Sequence, residues 1–147
     1  MTFTNPSQER IFDILRTAKR IAVVGLSNKP DRTSYRVAAN LQDYGYEIIP
    51  VNPVLAGQEI LGETVYAQLA DIPGEIDIVD VFRRSEFLAE VAEEFVKTEA
   101  KVFWAQLGLE SQAAADILTA AQRENTIMNR CIDIELRLLH EGTQKEG

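Results

Sequence analysis

Short apolar runs that stop at a turn residue, each followed by a segment of helical periodicity, recur along this chain. That alternation constrains the fold more than any other feature. "RIAVVG" runs into Gly25, and from about Thr33 to Tyr44 the apolar residues Val37, Ala38 and Leu41 fall at helical spacing before Gly45 closes the segment. "YEIIPV" is the next strand, and Pro50 inside it implies an edge position or one that donates no ladder hydrogen bond. "IDIVDVF" is apolar nearly throughout and precedes a helix over Ser85 to Lys97, with Phe87, Leu88, Val91, Phe95 and Val96 on its apolar side. A strand at "KVFWAQ", a helix from Ser111 to about Arg123, a short strand at "TIMN" and a helix from Ile132 to Leu139 complete the series. Before it, Ile11 to Lys19 reads as an amphipathic helix, with Pro6 and Ser7 suited to its start and Ile11, Ile14, Leu15 and Ala18 on one face. Between "YEIIPV" and "IDIVDVF", the glycines and prolines from Pro53 to Gly74 break the pattern into one short strand and one short helix.

Strands buried on both faces and joined by helices of this length require right-handed crossovers. The expected fold is therefore α/β: a doubly wound parallel sheet of about five strands with helices on both faces, three layers in all. With 147 residues, 46% of them hydrophobic, the chain is expected to form a single domain over residues 1–147, its core running from about Ile11 to Leu139. In both common strand orders of such sheets, the strand opening the second half lies beside the first strand, and ligands bind in the crevice beyond their carboxyl ends. This places Gly25 to Arg32 opposite Phe82 to Arg84.

The formal charge of −8 opposes nucleic-acid and anionic-membrane partners, and no segment has the apolar length of a membrane span. A soluble cytoplasmic protein is expected. A lone cysteine, Cys131, and a lone histidine, His140, are too few for an internal disulfide or a four-ligand zinc site, so no metal is expected. Against this acidic background two basic clusters stand out: Lys29, Arg32 and Arg36 at the start of the second helix, and Arg83 with Arg84 before the third. A helix start already carries partial positive charge, so basic side chains there are favoured when an anion sits between them. Pairing with Asp31, Asp80 and Glu86 is the alternative use of these arginines. Together, the two clusters bordering one crevice favour a phosphorylated ligand.

That ligand is not expected to be NAD. Its loop needs glycines where the backbone approaches the pyrophosphate and usually an acid at the end of the second strand. Here Ser27 and Pro30 occupy the loop, and Asn52 and Pro53 follow the second strand. An arginine can accept the extra phosphate of NADP, and coenzyme A carries the same kind of ribose phosphate without a nicotinamide.

The segments "GLSNKPDRTSYRVAANLQDYGYEIIPVNP", "GQEILGETVY", "IDIVDVFRR", "KVFWAQLGL" and "MNRCIDIE", in that order, resemble the small stand-alone CoA-binding proteins. These are related to the Rossmann-like nucleotide-binding domain of the succinyl-CoA synthetase alpha subunit. The resemblance implies that Gly25, Ser27, Pro30, Arg32 and Ser34 surround the ADP portion of coenzyme A. It further implies that Asn52 and Pro53 line the adenine side and that Phe82, Arg83 and Arg84 close the other wall.

The synthetase relatives use a histidine in a second domain, and His140 matches no such motif. With no nucleophile elbow, metal constellation or P-loop lysine, the expected role is a non-catalytic binding or sensor module for CoA or an acyl-CoA. Cys131 is a possible thiol contact, set beside Arg130 and following the last strand. Trp104, Gln106 and Asn129 are lesser candidates at the same sheet end, and Trp104 is the one best explained as packing. The rival is an enzyme, either an NADP-dependent reductase or an acyl-transfer protein with Cys131 as nucleophile. A cleft retained for a protein partner is a third reading.

Overall fold

The computed structural model describes residues 2–146. Helix α1 (Gln8–Thr17) starts where the Ser7 hydroxyl accepts the Arg10 N–H, and it buries Ile11, Ile14 and Leu15. Strand β1 (Arg20–Val24) leads into helix α2 (Thr33–Asp43), which buries Val37, Ala38 and Leu41, and Gly45 follows at φ +102°. Strand β2 (Glu47–Val51) precedes a two-residue antiparallel pair, β3 (Glu59–Ile60) and β4 (Glu63–Thr64). Then come β5 (Ile78–Val81), α3 (Leu88–Val96), β6 (Val102–Ala105), α4 (Gln112–Ala120), β7 (Thr126–Ile127) and α5 (Ile132–Glu146).

Five strands form one parallel sheet, as the alternation required, and their order is β2-β1-β5-β6-β7. Strand β2 lies at the edge, where Pro50 withholds no needed donor. Its outer side is partly covered because Pro50 accepts the Tyr66 N–H at 2.9 Å, and Tyr66 in turn accepts the Asn52 N–H at 2.9 Å. Strand residues alternate between two apolar layers. Ala22, Val24, Val79, Val81, Phe103 and Ala105 meet α3 and α4, while Ile21, Val23, Ile48, Ile78 and Trp104 meet α1, α2 and α5. At the amino ends of the strands, Asp77 accepts the backbone N–H groups of Lys19 at 2.8 Å and Arg20 at 2.9 Å. Partial burial works against its charge, but those two donors and the nearby Lys101 ammonium outweigh it and hold its pKa below the ordinary value.

Several boundaries depart from expectation: α1 begins at Gln8 and ends at Thr17, and α5 runs on past Leu139 to Glu146. The irregular segment holds a hairpin in place of one strand, because Leu61 and Gly62, at φ 54° and 80°, make the two-residue left-handed turn that a hairpin prefers. Its expected helix is a single 3₁₀ turn at Leu69–Asp71. The third helix opens with another 3₁₀ turn, Ser85–Phe87, before α-helical bonding begins at Leu88. Helix α4 stops at Ala120 because Gln122 turns left-handed at φ 60° and the Arg123 N–H closes back on Leu118 O.

Candidate functional site

Strands β1 and β5 are neighbours and their carboxyl ends come very close together. The Phe82 N–H donates to Val24 O at 2.8 Å, and the Gly25 N–H donates to Val51 O at 2.9 Å on the other side. Gly25 has φ +85°, and a Cβ there would stand 2.6 Å from the Phe82 carbonyl oxygen. Any side chain there forces the two strand ends apart, so packing at the switch point itself favours glycine as the first residue of the loop.

Beyond Gly25 the chain is shaped by its own polar groups. The Ser27 N–H donates to the Ser34 hydroxyl and the Lys29 N–H to the Ser27 hydroxyl, each at 3.1 Å. Asn52 ties this loop to the one after β2: its Nδ2 donates to Leu26 O at 3.1 Å, and its Oδ1 accepts the Val54 N–H at 3.0 Å. Three residues chosen as ligand contacts therefore also hold the loop in shape. Arg36 does likewise, its guanidinium donating to Asp31 O at 3.1 Å.

The start of α2 is electrostatically incomplete. Its N-cap is Arg32, which provides no side-chain acceptor, and its first turn contains no acid. Each of α1, α3, α4 and α5 has a capping serine, a first-turn acid or both. Among the described residues, no carboxylate lies within ion-pair distance of Lys29 or Arg32, whose side chains stand in solvent. Free N–H groups, a helix dipole and two unpaired cations converge on one spot, which is the arrangement that stabilises an anion.

That spot is the middle of a cleft with three connected compartments. The central one, about 430 Å³, is lined by Gly25, Ser27, Lys29, Arg32, Ser34 and Phe82. A second, about 620 Å³, extends past β2 between Asn52, Pro53 and Val54 on one wall and Arg83, Arg84 and Phe87 on the other. A third, about 450 Å³, lies beyond β6 and α5, with Gln106, Leu107, Leu109, Cys131 and Ile134 in its lining. Phe82 borders all three, and Arg83 and Arg84 border the second and third.

The structure brings nearly all the candidate residues to this cleft. Pro30, Trp104 and Asn129 line none of the compartments; Pro30 is exposed in the loop, where its fixed φ shapes the turn before Arg32. The arginine pair divides. Arg83 lies over the Phe87 ring at 4.5 Å with Glu90 4.0 Å away, whereas Arg84 is 84% exposed and 3.7 Å from Glu86. The alternative pairing with Asp80 does not occur. Asp80 is wholly buried in the centre of the sheet and neither carboxyl oxygen has a hydrogen-bond partner, so burial pushes its pKa well above the ordinary carboxylate range.

Trp104 does not border the cleft. It is fully buried, and its indole N–H donates to Arg130 O at 2.8 Å. Asn129, at φ 58°, accepts the Gly108 N–H through Oδ1 at 2.7 Å, so it shapes a loop. His140 stacks on Tyr44, with ring centroids 4.9 Å apart, away from the cleft. Sequence reasoning did not single out Leu107, Leu109 and Ile134. Leu107 and Ile134 look like ordinary apolar positions, yet they are 63% and 40% exposed at the mouth of the third compartment.

Comparison with known proteins identifies the family and the fold. A CoA binding domain family model matches residues 19–137, from the residue before β1 into α5. An uncharacterised Bacillus subtilis protein, YneT, is 54% identical over 130 residues, covering 88% of this chain and 94% of its own. The alpha subunit of an ADP-forming acetate–CoA ligase I from Pyrococcus furiosus is 36% identical over 94 residues, 61% of this chain and only 20% of that subunit. A solved structure from Thermus thermophilus superposes with a TM-score of 0.86 at 30% identity, covering 91% of this chain and 99% of that one. With its five-stranded parallel sheet, its glycine-pinned switch point and a family match that spans the cleft, the chain belongs to the CoA binding domain family.

Proposed function

We propose that this protein binds coenzyme A in the cleft at the β1/β5 switch point and acts as a binding or sensor module without catalysis of its own. The observation that carries the reading is the start of α2, uncapped, free of acids and flanked by Lys29 and Arg32, at the junction of the three compartments. The residues present fit the ligand. The central compartment supplies N–H groups and cations for phosphates. The wall of Asn52, Pro53 and Val54, facing Arg83 and Phe87, suits a flat base with a phosphorylated ribose. The third compartment receives the pantetheine arm. An acidic clamp for the ribose of NAD is missing after β2, where Asn52 has both ends of its amide engaged within the loops.

Calorimetric titration with CoA, NAD and NADP tests the reading. CoA is expected to bind, with NAD and NADP far weaker. Arg32→Ala is expected to weaken CoA by roughly tenfold or more, since a charge-assisted hydrogen bond contributes about 1.5–3 kcal/mol. Preferential NADP binding, or CoA affinity indifferent to Arg32→Ala, refutes it.

A further inference from the structure

The third compartment has a chemistry that coenzyme A alone does not satisfy. Resting on the reading above, we infer that its ligand is a CoA thioester of a saturated, uncharged acyl chain, with Gln106 donating to the thioester carbonyl and Leu107, Leu109 and Ile134 enclosing the chain. Two independent observations carry this.

The first is the apolar lining. Large hydrophobic side chains left in water lose the stabilisation that burial brings, so a cluster of them at a cavity points to an apolar occupant. Leu107 and Ile134 are 63% and 40% exposed, and both border the same space as the sheltered Leu109 and Phe82. Free pantetheine ends in a thiol and reaches this compartment without filling it with carbon.

The second is Gln106. The residue is 5% exposed and lines the compartment, and its Oε1 accepts the Ile132 N–H at 3.1 Å. A backbone N–H can only donate, so the oxygen must face Ile132, which fixes the amide's orientation. The Nε2 end has no hydrogen-bond partner among the described residues. A donor held at the wall of an apolar cavity, next to the route from the phosphate compartment, is placed for a carbonyl oxygen. A carboxylate-tipped acyl group fits less well. Arg83 is turned onto Phe87 toward the second compartment, where the phosphorylated ribose is placed, Arg84 stands in solvent beside Glu86, and the remaining lining is uncharged.

The test is a titration of the full chain with CoA, acetyl-, butyryl-, hexanoyl- and succinyl-CoA and with S-hexyl-CoA, which lacks the carbonyl. Affinity is expected to rise about two- to fourfold per added methylene from acetyl to hexanoyl. S-hexyl-CoA is expected to bind several-fold more weakly than hexanoyl-CoA. Leu107→Ser and Ile134→Ser, both at exposed positions, are expected to flatten the chain-length slope when hexanoyl-CoA is compared with CoA within each variant. Equal affinity across chain lengths, or succinyl-CoA as the tightest ligand, overturns the inference while leaving CoA binding intact. Equal binding of S-hexyl-CoA and hexanoyl-CoA overturns the role of Gln106. Failure of CoA and every thioester to bind overturns the underlying reading as well.

Discussion

Replacing Gly25 with alanine separates the cost of a left-handed backbone from the cost of a crowded strand junction. Two terms add at this position. A non-glycine residue at φ +85° is strained by about 1–2 kcal/mol. In addition, a Cβ 2.6 Å from the Phe82 carbonyl oxygen and 3.2 Å from its carbon must be accommodated by moving backbone, since neither atom belongs to a flexible side chain. Parting the ends of β1 and β5 weakens the Phe82-to-Val24 hydrogen bond at 2.8 Å or the Gly25-to-Val51 bond at 2.9 Å, each contributing about 0.5–1.5 kcal/mol. The sum is roughly 1.5–3.5 kcal/mol, a Tm loss of about 5–12 °C for a chain of this size, which a domain of ordinary stability survives. Gly45→Ala is the matched control. Its φ of +102° carries the strain, but nothing lies within 4 Å of the added methyl. Urea denaturation of both variants, with CoA titration of each, is the assay. Gly25→Ala is expected to lose clearly more stability than Gly45→Ala and also to weaken CoA, because the displaced turn holds the Ser27–Ser34 loop. Equal losses in the two variants refute the argument that close approach dictates this glycine.

Other predictions follow from buried and thiol groups. Burial raises the pKa of Asp80 in the native state well above its ordinary value of 3.8, near which it ionises when unfolded. Its contribution is therefore most favourable at low pH and is lost as pH rises toward the elevated native pKa. Asp80→Val is expected to stabilise the protein at pH 7 by about 1–3 kcal/mol and to remove that decline, whereas parallel stability curves for variant and wild type between pH 5 and 9 would exclude it. The Tyr46 hydroxyl donates to Leu15 O at 2.5 Å, and burial first, with Tyr44 second, raises its pKa from 10.0 to about 12. The stability supplied by the neutral phenol is complete below pH 10 and lost as pH climbs through 12, so Tyr46→Phe should lack that alkaline limb in pH-dependent unfolding. Cys131 lines the third compartment, so its thiolate is expected to attack CoA disulfide, forming a protein–CoA disulfide and releasing one CoA thiolate. Mass spectrometry should find one CoA adduct that Cys131→Ser abolishes, and an unmodified wild type would place the thiol out of reach.

By itself, the sequence determined the layering, the five strands of the main sheet and the switch point, because those follow from local rules. Apolar runs such as "IAVV" and "IVDV" can be covered only from both faces, and helical spacing between them leaves parallel crossovers as the connection. The basic residues Lys29, Arg32, Arg83 and Arg84 were legible for the same reason, since positive side chains at the positive ends of helices need no tertiary information to stand out. Three properties were decided only by tertiary structure. Whether Asn52, Ser27 and Ser34 face a ligand or each other depends on distances between loops far apart in sequence, and the fold uses them to bind the loops together. Trp104 and Asp80 sit one position from the strand ends, and only the register of three parallel strands sends both into the sealed core while Gln106 reaches the cleft. Leu107 and Ile134 are ordinary hydrophobic letters until a loop after β6 and the first turns of α5 meet around one empty space, because exposure belongs to the packed assembly and cannot be read from a residue type.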